Sequence, residues 1–225
     1  MEKVLILGAA GQIGTELVNT LRATYGNDQV IAGDLLAANL SEPCIQIDAT
    51  DEHALRELVT KEGVTVVYQL VAMLSATGEK LPEKAWALNM QALFAVLNLA
   101  KDQLIKQVFW PSSIAAFGPN TPTLDSPQMT VMDPTTVYGI SKLSGELWCQ
   151  YYHDKYGVDV RSIRYPGLIS WGAEPGGGTT DYAIDIFRSA KKDNAYTCFL
   201  AEDTRLPMMH MDDAIRAPLE LMNAP

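Results

Sequence analysis

Residues 4–14 read VLILGAAGQIG, an apolar run that leads directly into three regularly spaced glycines. A short apolar run closed by glycine is typical of a strand that is buried on both faces of a parallel sheet. The glycines permit a tight turn, allow backbone N–H groups to approach a pyrophosphate, and let the following helix pack closely on the sheet. The segment therefore predicts a strand, a phosphate-binding turn and a helix.

An acidic residue after the second predicted strand strengthens this interpretation. Asp34 stands twenty residues beyond the last glycine of the turn, and only Gly33 separates it from the apolar residues 30–32. A carboxylate at this place accepts hydrogen bonds from the adenosine ribose and repels a 2′-phosphate, which favours NAD over NADP. A plain turn at Gly33-Asp34 is the alternative. The expected NAD contacts near this end of the sheet are Gly8, Gly11, Gln12, Ile13, Gly14, Asp34, Leu35, Asp48 and Ala49.

Strand-like and helix-like patterns alternate along the chain. The predicted strands are residues 4–7, 30–32, 44–47, 65–70, 107–110 and 158–164. The predicted helices are residues 13–25, a helix capped by Asp51, and residues 83–101 and 136–156. Such alternation predicts an α/β fold with a doubly wound parallel Rossmann sheet.

The pattern loosens beyond residue 164. We expect a Gly/Pro-rich loop, a helix near residues 181–191, a short strand near Tyr196, and a last helix that Asp212 and Asp213 cap. These elements predict a small C-terminal substrate lobe. We therefore divide the chain into a Rossmann domain at residues 1–164 and substrate-lobe elements at residues 165–225.

The composition limits the partners. The 225 residues carry a net charge of −10, whereas nucleic acids and anionic membranes require clustered Lys and Arg. No stretch approaches the roughly 18 apolar residues of a membrane span. The first strand leaves no room for a targeting peptide, and the three cysteines lack Cys-x-x-Cys spacing. We expect a cytoplasmic protein with no nucleic-acid or membrane partner.

Tyr138 and Lys142 stand four residues apart, one turn along the same helix face. A free tyrosine has a pKa near ~10, which a neighbouring cation can lower by roughly 1–3 units. Lys142 and a positively charged nicotinamide ring are such cations, so Tyr138 can remove a hydroxyl proton while hydride leaves for the cofactor. Ser112 and Ser113 end the fifth strand, where a hydroxyl can orient the reacting oxygen. An amphipathic helix face and turn serines are the alternatives.

Together these residues resemble the extended short-chain dehydrogenases, a family that includes the sugar-nucleotide epimerases. The family's serine precedes its tyrosine by twenty-five residues, which selects Ser113 over Ser112. The resemblance implies that Ser113, Tyr138 and Lys142 are catalytic. It also implies further cofactor contacts from Leu70, Ala72, Asn89, Tyr138, Lys142 and Leu168.

Three segments narrow the resemblance to the short-chain-type L-threonine 3-dehydrogenases: residues 161–171 (RSIRYPGLISW), 175–182 (PGGGTTDY) and 206–213 (LPMMHMDD). The resemblance covers nearly the whole chain and implies that NAD oxidises the C3 hydroxyl of threonine to 2-amino-3-oxobutanoate. Members of that family continue past residue 225, so we expect a shorter substrate lobe and poor turnover.

An amino-acid substrate needs partners for its carboxylate and its ammonium. Hydroxyls at the start of a helix suit an anion, and an acid suits a cation, although helix capping explains the same residues. The expected substrate contacts are Ser75, Ser112, Ser113, Tyr138, Thr179, Thr180 and Asp181. Metal is not expected, because His53, His153 and His210 are dispersed and no His/Cys cluster has the spacing of metal ligands.

Two other classes of function remain open at this point: a sugar-nucleotide epimerase or dehydratase, and a non-catalytic NAD-sensing module. The aromatic residues of predicted helix 136–156 are spread over more than one face. We therefore expect this helix and helix 83–101 to pair in a homodimer, as in the family, with burial inside one subunit as the alternative.

Overall fold

The computed structural model describes residues 2–170 and 180–225. Its strands are β1 (Val4–Leu7), β2 (Val30–Asp34), β3 (Cys44–Gln46), β4 (Val66–Gln69), β5 (Gln107–Ser113), β6 (Asp159–Tyr165), β7 (Gly167–Ile169) and β8 (Met208–His210). Its α-helices are α1 (Gln12–Tyr25), α2 (Glu52–Glu62), α3 (Ser75–Gly78), α4 (Pro82–Lys101), α5 (Val137–Tyr156), α6 (Tyr182–Asp193) and α7 (Met211–Asn223).

Six parallel strands form one sheet in the order β3-β2-β1-β4-β5-β6. The chain moves outward from β1 to β3 and then returns to the centre and moves the other way from β4 to β6. This reversal between β1 and β4 defines the doubly wound arrangement. The predicted α/β fold with a parallel Rossmann sheet is confirmed. Strands β7 and β8 form a separate parallel pair.

Helices cover both faces of the sheet and create two apolar cores. Leu5 and Leu7 of β1 belong to the core that includes residues of α2, α4 and α5. Val4 and Ile6 belong to the other core, which includes residues of α1 and α7. This alternation is the two-residue period of a β-strand, and it explains why every residue of β1 is apolar.

The last helix packs against α1 and β6, on the sheet that the sequence assigns to residues 1–164. Pro218 lies inside α7 and has no N–H, so the carbonyl of Ala214, four residues earlier, lacks its usual helical donor. The hydroxyl of Tyr165, at the end of β6, donates to this carbonyl oxygen at 2.7 Å in a buried hydrogen bond. The bond therefore fixes α7 to the sheet at the point where the helix is weakest.

Two details of the C-terminal segment differ from the sequence prediction. The strand predicted near Tyr196 is wrong, because residues 194–207 contain no helix or strand and lie mostly exposed. The strand in this region is β8, which gains its hydrogen bonds by pairing with β7. The capping residue of α7 is His210, whose Nδ1 accepts the N–H of Asp212 at 3.3 Å, so the predicted Asp212 and Asp213 cap is also wrong. Both acids lie in the first turn of α7 instead, where the helix dipole favours negative charge.

Within residues 2–170 and 180–225, no helix has the length and apolar character needed to cross a membrane. The thiols of Cys44, Cys149 and Cys198 are free. No disulfide therefore contributes to the stability of the described fold.

Replacing Tyr165 with Phe should lower the free energy of unfolding by about 1–3 kcal/mol, because the Ala214 oxygen stays buried without a donor. Pro218→Ala restores the missing N–H, so the same Tyr165→Phe change should cost less than about 1 kcal/mol in that background. Denaturant unfolding of the four proteins measures both values. Equal losses in the two backgrounds would contradict the role given to this bond.

Candidate active site

A cleft of about 870 Å³ opens at the carboxyl ends of the strands, beside the point where the strand order reverses. Its walls come from the glycine turn after β1, the segments after β4, β5 and β6, and the start of α5. Open α/β sheets bind their ligands at this place. The cleft is therefore where the predicted site residues should meet.

The glycine turn forms one wall of the cleft. Gly8 has a φ of +83°, a conformation that favours glycine. A Cβ atom on Gly14 would lie 2.2 Å from the carbonyl oxygen of Gly8, so a glycine is needed for α1 to begin so close to β1. No side chain caps α1 at Gly11, and Gly11, Gln12 and Ile13 line the cleft. The free N–H groups of a helix start carry partial positive charge, which suits a phosphate.

Gln12 adds a second donor to this wall. Its Nε2 atom is buried and has no hydrogen-bond partner. An unpaired buried donor costs roughly 1–3 kcal/mol, and an acceptor on a bound ligand would remove that cost. The residues of this wall therefore fit the pyrophosphate of a dinucleotide.

Asp34 lies at the end of β2, next to the glycine turn. Its Oδ2 accepts the N–H of Ala10 at 3.0 Å, and its Oδ1 accepts the N–H of Leu36 at 3.0 Å. The carboxylate thus holds the turn in place while it brings negative charge to the edge of the cleft. Both functions fit the predicted place of a ribose-binding acid.

Three other predicted cofactor residues lie outside the cleft lining. The side chain of Leu35 is 57% exposed, and Ala49 is buried in the core. Asp48 accepts hydrogen bonds from the N–H and the hydroxyl of Thr50 at 2.8 and 2.7 Å, and so it closes a turn. The structure brings none of the three into the wall, and their contact with a cofactor stays a prediction.

The segment after β4 forms a second wall, with Leu70 and Ala72 on its surface. Asn89 of α4 is 4% exposed and stands behind this wall. Its Oδ1 accepts the N–H of Met73 at 2.7 Å, and its Nδ2 donates to the carbonyl of Met73 at 3.3 Å and to Ser141 Oγ at 3.1 Å. Asn89 therefore joins this wall to α5 and supports the cleft from outside.

Ser113, Tyr138 and Lys142 meet on the third wall, where the end of β5 lies against the first turns of α5. The Nζ atom of Lys142 lies 5.4 Å from the centre of the Tyr138 ring. It donates to the carbonyl of Pro111 at 2.5 Å. The structure thus brings the predicted serine, tyrosine and lysine together.

Burial governs the acidity of this group. Removal of the Tyr138 hydroxyl from water raises its pKa to about 12, although a hydrogen bond with Ser113 acts in the opposite direction. Burial also lowers the pKa of Lys142 to about 7, against smaller raising effects of Cys149 and Glu146. The net shift is upward, opposite to the expected lowering, because desolvation outweighs the effects that favour the phenolate.

Ser112 has a different partner from Ser113. Its buried hydroxyl donates to Glu146 Oε1 at 2.5 Å. Arg164 of β6 binds both oxygens of the same carboxylate, at 2.8 and 2.7 Å, and also donates to the carbonyl of Gln128 at 3.2 Å. This partly buried pair holds the ends of β5 and β6 and residue 128 to α5. The sequence pattern did not indicate this pair, although Glu146 stands one helical turn after Lys142.

The segment after β6 and the start of α6 complete the cleft. Leu168, Thr180 and Asp181 line it, as does Ser75 at the start of α3. Thr179 lies outside the described residues. Five further residues with polar or aromatic side chains line the cleft in the described part of the chain and were not predicted from the sequence: Thr77, Phe117, Tyr165, Thr135 and Thr136. The last two directly precede the helix that carries Tyr138, which is the signal that could have indicated them.

A model of the NAD dependent epimerase/dehydratase family matches residues 4–225. A relative from Staphylococcus saprophyticus, named an uncharacterized epimerase/dehydratase, is 49% identical over 100% of this chain and 71% of the relative. The holo form of an L-threonine dehydrogenase from Cupriavidus necator is 57% identical, with a TM-score of 0.96 over 99% of this chain and 73% of that chain. An L-threonine dehydrogenase from Phytophthora infestans is 45% identical, with a TM-score of 0.96 over 100% of this chain and 73% of that chain.

The match extends over the glycine turn, the Tyr138 and Lys142 helix and the C-terminal elements alike. The sheet order and the site described above agree with it. The chain therefore belongs to the NAD-dependent epimerase/dehydratase family of extended short-chain dehydrogenases.

Proposed function

We propose that this chain is an NAD-dependent L-threonine 3-dehydrogenase that oxidises the C3 hydroxyl of threonine to 2-amino-3-oxobutanoate. The observation that carries the proposal is the meeting of Ser113, Tyr138 and Lys142 on the cleft beside the glycine turn. Support for the substrate comes from L-threonine dehydrogenases that are 45–57% identical over nearly the whole chain.

Bound NAD would supply the hydride acceptor. The N–H groups at the start of α1 and the amide of Gln12 would bind its pyrophosphate, and Asp34 would bind its adenosine ribose. Leu70 and Ala72 would line its path across the cleft, and Asn89 would keep that wall in place. These roles use the unpaired donors and the one carboxylate described for these walls.

Tyr138 is the proposed general base. Its phenolate would accept the proton of the C3 hydroxyl, and Ser113 would hold the reacting oxygen by a hydrogen bond. The phenol is protonated at neutral pH in this structure, since burial raises its pKa to about 12. A positive charge on Lys142 or on the nicotinamide ring of bound NAD would favour the phenolate, so the proposed proton transfer depends on those charges.

The substrate's charged groups would bind other residues of the cleft lining. The hydroxyls of Ser75 and Thr180 and the start of α6 would receive the carboxylate, and Asp181 would pair with the ammonium. Thr179 stays a candidate for the same carboxylate. The hydrogen bond from Ser112 to Glu146 joins β5 to α5, and so Ser112 supports the wall that carries Tyr138. Ser113 is therefore the hydroxyl that we propose to reach the substrate.

We also propose a homodimer through α4 and α5. Large apolar side chains on these helices are exposed in the single chain: Trp86 (41%), Leu147 (63%), Trp148 (39%) and Tyr151 (45%). Tyr152 and Cys149 of α5 are buried within one subunit, so only part of the surface of this helix needs a partner.

A sugar-nucleotide epimerase is the second candidate, favoured by the epimerase/dehydratase name of the relative from Staphylococcus saprophyticus. Absorbance of NADH after mixing the protein with NAD and L-threonine tests the first proposal directly. Conversion of a UDP-hexose without NADH release would favour the second. NAD binding without turnover of either substrate would favour a sensing module.

Tyr138→Phe should reduce kcat by at least ~100-fold, because the proton acceptor is lost while the NAD contacts remain. The Kd for NAD should stay within about threefold of wild type. Lys142→Met should weaken both turnover and NAD binding, and calorimetric titration with NAD separates the two effects. Wild-type turnover in Tyr138→Phe would exclude Tyr138 as the base.

Wild-type protein should use NAD much better than NADP, because the Asp34 carboxylate would face the extra phosphate. Asp34→Asn removes the charge and keeps one acceptor oxygen for the turn, so the ratio of NADP to NAD efficiency should rise by about tenfold or more. Steady-state kcat/KM with both cofactors measures the change. Similar wild-type efficiency with the two cofactors would contradict the role of Asp34.

Prolonged treatment with a chelator should leave the dehydrogenase activity unchanged. Within residues 2–170 and 180–225, no three His, Cys, Asp or Glu side chains lie together as metal ligands would. The assay compares treated and untreated protein, and then adds Zn²⁺ to the treated sample. Loss of activity that Zn²⁺ restores would overturn the metal-free proposal.

A further inference from the structure

The Lys142 ammonium lies against the face of an indole. Its Nζ atom is 4.6 Å from the centre of the Trp110 ring, and each side chain is 3% exposed. A cation within about 6 Å of an aromatic face is attracted by the ring quadrupole, and the attraction is strongest where water is excluded. Both conditions hold at this pair.

Gly145 makes this contact possible. It stands three residues after Lys142 on α5, and therefore on the same helix face. A Cβ atom at this position would lie 2.3 Å from Cη2 and 2.5 Å from Cζ2 of Trp110. Glycine inside a helix is less favourable than alanine. The close approach of the Trp110 ring explains why position 145 is nevertheless a glycine.

Other groups give the ammonium limited support. Glu146 and Cys149 are the described titratable groups that favour its charged form. Burial raises the pKa of the Cys149 thiol to about 12, so this thiol is uncharged at neutral pH. The charge of Glu146 is shared with Arg164, which binds both of its oxygens.

From β5, the groups that face Lys142 are the carbonyl of Pro111 and the ring of Trp110. Tyr138 faces it from the same helix as a neutral phenol. An ammonium whose pKa burial lowers to about 7 is not fully charged at neutral pH. The quadrupole of Trp110 is therefore positioned to keep the cation populated.

We propose that Trp110 is a positioning residue for Lys142, whose indole face holds the ammonium charged and directed beside Tyr138. The effect of Trp110 on the charge of Lys142 does not depend on which reaction the protein catalyses. Only the effect of Trp110 on turnover rests on the proposed function. A role in core packing alone makes a different prediction, because packing depends on the volume of the ring and not on its quadrupole.

Fluorinated tryptophans separate quadrupole from volume, since fluorine withdraws charge from the ring face with little change in size. Three samples of the protein would be made, with tryptophan, monofluorotryptophan or difluorotryptophan, and each would carry lysine labelled with ¹³C at Cε. The NMR signal that disappears in Lys142→Met would be assigned to Lys142. NMR titration of apoprotein should show a Lys142 pKa near 7 that falls stepwise, by about one unit in total. An unchanged pKa across the series would overturn the proposal.

Two variants locate the effect. In Trp110→Phe, fluorinated tryptophan should no longer change the Lys142 pKa, because the ring under the ammonium carries no fluorine. In Trp148→Phe, which removes a different indole, on α5, the Lys142 pKa should depend on fluorination as fully as in the wild-type sequence. A dependence that survives Trp110→Phe would assign it to a different ring and reject Trp110. Thermal unfolding of each sample checks that the fold is intact. If Trp110→Phe does not fold, the fluorotryptophan series in the wild-type sequence still decides whether the Lys142 pKa responds to fluorination.

A kinetic measurement tests the catalytic consequence separately. Turnover needs the ammonium, so the alkaline limb of the kcat/KM profile should move to lower pH by the same amount as the Lys142 pKa. If the protein shows no threonine oxidation at all, the proposed function fails while the NMR titration still decides the role of Trp110. A pKa that falls with no movement of the limb would overturn the catalytic consequence alone.

Discussion

Close backbone packing at Gly14 is the constraint on which the cleft depends. Because the residue has no side chain, α1 starts almost against the carbonyl of Gly8 and points its free N–H groups across the ends of the strands. The same placement lays Leu17 and Leu21 under β1 and provides the surface on which α7 packs. One missing methyl group thus fixes both a wall of the site and one of the two cores.

The opposite wall obeys an electrostatic constraint. Charges that leave water must find partners, and the groups around α5 do so in different ways. Arg164 and Glu146 neutralise each other in a bidentate pair, whereas Lys142 relies on a carbonyl and an aromatic face. In the first arrangement two hydrogen bonds fix the orientation of the pair, and the two charges cancel each other. The second leaves donors of the Lys142 ammonium unused at the cleft lining, as its proposed role beside Tyr138 requires.

The sequence predicts best what local patterns encode. The glycine turn, Asp34 and the pair Tyr138 and Lys142 are each defined by spacing within one βα unit or one helical turn, and the structure brings them to the cleft or its edge. The parallel sheet follows in the same way from alternating strand and helix patterns. Each of these predictions needs only the period of a helix or a strand.

Other features depend on contacts between distant residues, and the sequence pattern does not reveal them. Strand β8 forms because β7, about forty residues earlier, lies beside it, while the residues near Tyr196 form no strand with any described part of the chain. Ser112 and Ser113 are adjacent in sequence, yet Glu146 takes the first hydroxyl and leaves the second to Tyr138. Desolvation of Lys142 is likewise a property of the packed structure.

The hydrogen bond between Tyr165 and Ala214 has a consequence for cooperativity. Tyr165 lines the cleft on one side and, through its hydroxyl, holds the proline-interrupted turn of α7 on the other. Separation of α7 from the sheet would expose the second core and release this wall of the cleft in the same step. We therefore expect the C-terminal helix and the carboxyl edge of the sheet to open together when this part of the protein unfolds locally.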